Sequence, residues 1–97
     1  MIYELTPIYD ARQSFYAKAL VQVFEGVEVL LSYTMPVAKY ENGVLKLLEM
    51  WDYSPTTLRH VKEFAKQHNI FVNTKKDLLQ YVWGNSFKVP RLWRDFF

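Results

Sequence analysis

The sequence predicts an α+β domain: a four-stranded antiparallel meander followed by two helices packed on one face, closed by an aromatic C-terminal tail. Three observations predict it. Apolar and β-branched residues alternate between residues 15 and 51, and Glu25-Gly26 and Asn42-Gly43 interrupt them. Ser54-Pro55 then opens a stretch in which apolar residues recur every three or four positions. Residues 85–97 hold Trp93, Phe96 and Phe97, too aromatic for a freely solvated end.

The first strand is read in residues 15–24, which combine aromatic and β-branched types and run into the turn signal Glu25-Gly26. Val27, Val29, Leu31 and Tyr33 then alternate with Glu28, Leu30 and Ser32, so the first set is expected to face the core. Pro36 cannot donate a ladder hydrogen bond and is expected to mark an edge, a bulge or a break before Val37 to Tyr40. Asn42-Gly43 suits a type I′ hairpin turn, which demands positive φ at both residues. Val44 to Trp51 is the returning strand, and the sheet spans 15–51. Lys46 and Glu49 are an odd number apart and cannot share a face, which calls for a bulge or an early strand end.

Ser54 supplies an N-cap acceptor and Pro55 a first helical residue whose missing N–H costs nothing, so a helix is placed over 55–68. At about 100° per residue from Leu58, the residues Leu58, Val61, Phe64 and Ala65 form one apolar stripe, and Lys62, Lys66 and Arg59 form a basic stripe beside it. Asn69 can close that helix in a left-handed conformation. Thr74 with Asp77 resembles a capping box, and Leu78, Leu79, Tyr81, Val82 and Trp83 make a second helix over 75–83, expected to be buried on several sides and ended by Gly84. Residues 85–97 form the tail. There is no internal repeat, low-complexity tract or linker, so 1–97 reads as a single small domain.

Length and composition exclude several function classes. At 97 residues there is no room for a two-domain enzyme. With 51% hydrophobic, 18% aromatic and 23% charged residues, the chain lies in the globular class rather than the disordered one. The absence of cysteine removes disulfides, thiolate metal sites and cysteine nucleophiles. The three glycines are isolated and cannot build a phosphate-cradling loop. The N-terminus has no basic region or apolar core of a secretory signal, and Val29 to Ala38 is too short to cross a membrane. A cytoplasmic location is the expectation. The net charge of +2 hides a split. Residues 1–55 carry four basic against seven acidic groups, net −3, and residues 56–97 eight against three, net +5. Such a division bears on partners rather than on fold.

Three segments taken together carry a resemblance: Tyr9 to Ala19, Ser32 to Ala38, and Tyr53 to Phe64, the last with the pattern Tyr-Ser-x-Thr-Thr-x-Arg-His. Their order and spacing resemble a family of small uncharacterised proteins of phages, plasmids and integrative elements of Gram-positive bacteria, over roughly residues 7–83. The resemblance implies a mobile-element origin. It brings no activity and no catalytic residue, and Phe87 to Phe97 lies outside its pattern.

Candidate chemistry is sparse. His60 stands at the border of the apolar stripe beside Arg59; with Arg12 it could serve as an acid/base, or it could simply bond a neighbouring strand. His68 falls on the last turn, where it suits the final helix carbonyls. His60 and His68 are eight apart, and His60 with Glu63 offers only two ligands, so neither a metal nor a cofactor is expected. Asp10, Arg12 and Ser14 alternate and, if extended, would share a face toward Thr56 or His60; a turn network is the plainer reading. Two binding surfaces are more credible. Arg91, Trp93, Arg94, Phe96 and Phe97 have the composition of protein-interface anchors, though the tail could equally complete the core. Arg59, Lys62 and Lys66, extended by Lys75 and Lys76, could track a phosphate backbone; the last two oppose the dipole of the second helix, a cost that binding would explain. The expectation is therefore a non-enzymatic accessory protein that binds a host or phage protein through the tail and an exposed sheet edge, a host-defence inhibitor of the anti-CRISPR kind being the class the resemblance raises. A homodimer is compatible with the same surfaces, and a nucleic-acid-binding module is the alternative.

Overall fold

The computed structural model describes residues 1–82. It is α+β, with an antiparallel sheet of five strands in the order β1-β2-β3-β4-β5: β1 Ile2–Glu4, β2 Ala19–Phe24, β3 Val27–Ser32, β4 Met35–Glu41 and β5 Val44–Leu47. Two helices follow, α1 Pro55–Gln67 and α2 Lys75–Leu79. The expected tail, 85–97, lies outside the described residues, as do Trp83 and Gly84.

The hairpins follow from turn chemistry. Glu25-Gly26 and Asn42-Gly43 both take positive φ at both residues, with φ of 50° and 82° in the first and 53° and 77° in the second, so each matches the strand twist as a two-residue turn. A third turn, Tyr33-Thr34, does the same without glycine, at φ of 52° and 68°. A β-branched residue there is strained, by about 1–3 kcal/mol. Pro36 lies within β4 opposite Leu31 while Ala38 pairs with Leu30, so Val37 is one residue too many and the register shifts there.

Several expectations are corrected. The sheet does not begin at residue 15: Tyr16 and Ala17 take φ of 54° and 62°, and Phe15 to Lys18 is a turn closed by the Lys18 N–H on the Phe15 carbonyl at 3.0 Å. A strand that short-range patterning cannot show lies instead at Ile2–Glu4, paired through Tyr3 with Val21. The returning strand stops at Leu47 rather than Trp51. The face of β3 is reversed: Leu30 and Ser32 are buried toward α1, whereas Val27, Val29 and Leu31 lie half-buried on the other side. The second helix is five residues long and buries only Leu78, with Leu79 exposed.

One face of the sheet carries the core. Val21, Leu30, Ala38 and Leu47 meet Val61 and Phe64 of α1, all at most 1% exposed. Each such side chain contributes roughly 1.5–3 kcal/mol by leaving water. After α2 the chain returns to the sheet: the Leu47 N–H donates to the Tyr81 carbonyl at 2.8 Å, and Val82 forms a parallel bridge with Leu47 at the β5 edge.

Candidate functional site

The segment that carries the resemblance, Tyr53 to Phe64, is the start of α1. Ser54 caps it, its hydroxyl accepting the Thr57 N–H at 3.1 Å, and Pro55 follows. Positions 54, 57 and 60 succeed one another at three-residue steps, so their side chains line one side of the first two turns. They build a buried polar chain. Ser54 Oγ donates to Thr57 Oγ1 at 3.1 Å; Thr57 Oγ1 lies 3.0 Å from Ser32 Oγ on β3; and Ser32 Oγ lies 2.9 Å from His60 Nδ1. Ser32, Thr57 and His60 are each 0% exposed.

Ser54 donates to Thr57, and either hydroxyl of the Thr57–Ser32 pair can donate to the other, so the Ser32–His60 bond runs from Ser32 to Nδ1 or from Nδ1–H to Ser32 according to the imidazole tautomer. His60 Nε2 is buried and has no hydrogen-bond partner among the described residues. The ring packs edge-on against Phe15 at 4.6 Å and lies 5.9 Å from the Tyr33 ring. Burial pushes the imidazole from 6.5 down to about 4; the Asp10 charge opposes this, and Arg12 and Lys18 add to it. His60 is neutral at pH 7. It is fully buried rather than at a border, and the Arg12 N–H is turned to Asp10 Oδ1 at 2.9 Å. Asp10, Arg12 and Ser14 lie in a bent loop and do not share an extended face; Ser14 Oγ accepts the Tyr16 N–H at 2.9 Å.

Glu63, only 1% exposed, is a structural centre that sequence reasoning weighed as a second ligand beside His60. Its carboxylate accepts the backbone N–H groups of Ile8, Tyr9 and Asp10, each at 2.9 Å, and the Gln67 amide at 2.6 Å. Gln67 also donates to the Thr6 carbonyl at 2.8 Å. Residues 6–10 are thereby bound along α1. With His60 turned to Ser32 and Glu63 to this loop, the two do not converge as ligands. Among the described residues no three His, Cys, Asp or Glu side chains gather as a metal site would require.

His68 does not serve the helix carbonyls alone. Its Nε2 lies 3.2 Å from Glu28 on β3, and its ring stacks on Tyr40 at 3.8 Å. The basic residues are only partly brought together. Arg59 reaches Asp10 at 3.2 Å, while Lys62 and Lys66 are half-buried with no ion-pair partner among the described residues. Lys75 is drawn to Asp52 at 3.4 Å and over the Trp51 ring at 5.9 Å, and Lys76 is exposed beside it. Arg91, Trp93, Arg94, Phe96 and Phe97 lie outside the described residues. No helix among the described residues is long and apolar enough to cross a membrane.

The sheet's second face is a surface that sequence reasoning missed. Alternation places Leu20 and Phe24 of β2, Val27, Val29 and Leu31 of β3, and Pro36 of β4 opposite the helix side. None is buried, and Phe24 is 67% exposed. The same face carries Lys39 and Lys46, paired with each other in register beside Val29, and β1 is the edge strand of the sheet. The signal was the reversed face of β3: had Ser32 been read as a partner of His60, the valines would have been placed outward.

Compared with known protein families, residues 3–80 match a family of unknown function, DUF8033, and the chain belongs to that family. No curated protein and no solved structure matches the chain.

Proposed function

We propose, for a member of a family without an assigned activity, that the chain is non-enzymatic and acts by binding another protein across the outer face and β1 edge of its sheet. The observation that carries this reading is the row of half-buried Leu20, Val27, Val29 and Leu31 beside exposed Phe24, an apolar strip of the kind that marks an interaction site. Arg91, Trp93, Arg94, Phe96 and Phe97 would add anchors to it. The burial of Ser32, Thr57 and His60 favours a structural role for the only Ser–His pair described, because a nucleophile at 0% exposure has no path to a substrate. The resemblance to phage and plasmid proteins supports a mobile-element setting, where a stoichiometric inhibitor of host defence is the form we favour.

The test replaces Val29 and Leu31 together by glutamate. Both side chains point away from the core, so the protein should stay folded by circular dichroism and lose the proteins that the unaltered chain retains from a lysate of its source organism. A folded variant that retains the same proteins refutes the reading.

A further inference from the structure

We infer that the outer side of α1, with the loop bound along it, is a second and separate binding surface whose ligand is single-stranded nucleic acid. It is independent of the protein-docking reading, since α1 covers the opposite side of the sheet from Val29 and Leu31.

Charge is the first argument. Lys62, Lys66 and Arg59 project within about 60° of one another on the solvent side of the helix. Two acids on or against the same helix, Glu63 and Asp10, hold other partners. Glu63 spends its carboxylate on three backbone N–H groups and Gln67, and Asp10 Oδ1 receives both the Arg12 N–H and Arg59. Lys62 and Lys66 have no ion-pair partner among the described residues. A cationic strip with its local counter-charges turned inward suits a phosphate backbone.

Exposed aromatic surface is the second argument. Tyr9 is held by its N–H on Glu63, one helical step from Lys66, and its ring meets Phe71 edge to face at 5.6 Å and 85°. These rings are 47% and 61% exposed, and neighbouring Ile8 is also exposed. Lys18 stands 5.7 Å over the Tyr33 ring near the other end of the helix. Exposed rings beside cations reward a strand whose bases are free to stack; a duplex keeps its base faces inside and offers only phosphates. The two features divide the work, lysines for the backbone and rings for the bases.

The experiment measures fluorescence anisotropy of a labelled 12-nucleotide oligo(dT) with the full chain, over a salt series. Binding is expected in the micromolar range at low salt, with log K falling against log salt at a slope of about −2, as about three neutralised phosphates require at ~0.7 each. Changing Lys62 and Lys66 to glutamine should cut that slope to about −0.7. Phe71→Ala should instead weaken binding by roughly 5- to 100-fold and leave the slope unaltered, as loss of one stacked base predicts. All three side chains are at least partly exposed, so the variants should keep the parent's circular dichroism. Absence of binding at low salt, equal affinity for a duplex, equal displacement by poly-glutamate, or variants that bind like the parent would each overturn the inference.

Discussion

Acidification tests the buried histidine directly. In the unfolded chain His60 takes up a proton near pH 6.5, whereas in the fold burial pushes it down to about 4. Protonation would also put charge on a ring whose buried Nε2 has no hydrogen-bond partner among the described residues. Between these two pH values the unfolded state holds more protons than the folded one, so this contribution is complete above about pH 6.5 and is lost as pH falls toward 4. The gap of roughly 2.5 units, at 1.36 kcal/mol each, amounts to about 3 kcal/mol. That is a large part of the 5–15 kcal/mol that typically holds a domain together. Urea unfolding from pH 7.5 to 4 should show the protein losing about 3 kcal/mol more than His60→Asn, whose amide gains no proton. In parallel, the imidazole nitrogen shifts of the unaltered protein should report a neutral ring down to about pH 5. Titration of His60 near 6.5 in the folded protein would refute the reasoning, and the spectrum decides the matter even if the variant fails to fold.

Three further outcomes follow from the same geometry. Ser32→Ala strands the Thr57 hydroxyl and His60 Nδ1 together and should cost about 1–3 kcal/mol by urea unfolding; a loss below half of that range would mean the chain is not a bonded network. Glu63→Ala orphans the N–H groups of Ile8, Tyr9 and Asp10, so hydrogen exchange at these three amides should accelerate and stability fall by about 3 kcal/mol, whereas Lys62→Ala should leave both nearly unchanged. Thr34→Gly relieves a β-branched residue at φ 68° and, after the added freedom of the unfolded chain, should raise stability by about 0.5–1 kcal/mol, seen as a higher thermal midpoint.

The parts of the fold legible in the sequence are those set by neighbours in the chain. Glu25-Gly26 and Asn42-Gly43 turn because those residue types tolerate positive φ, and Ser54-Pro55 begins a helix because cap and first turn are specified within four residues. What patterning left hidden depends on distant partners. Ile2–Glu4 is too short to show a period and is a strand only because β2 offers it an edge. Tyr33-Thr34 has no turn composition, and the pairing of β3 with β4 imposes its conformation. Glu63 looks like one more charged residue on a solvated face until residues 6–10 arrive to use it.

The reversed face of β3 shows how polar residues can mislead and still be lawful. Alternation puts Glu28 and Ser32 on one side, and their polarity argues that this side faces water. They face α1 because the helix carries matching partners: Ser32 meets His60 and Glu28 meets His68. The spacings agree. Four residues of strand at about 3.3 Å each span about 13 Å, and eight residues of helix at about 1.5 Å each span about 12 Å, so an antiparallel α1 can satisfy both ends of β3 at once. A slip of one residue in the strand would bury Val29 and Leu31 and leave both histidines facing apolar side chains, with His60 Nδ1 unpaired at 0% exposure. The polar pairs thus select the register, and the cost is the apolar face left on the other side of the sheet, where the proposed protein partner would dock.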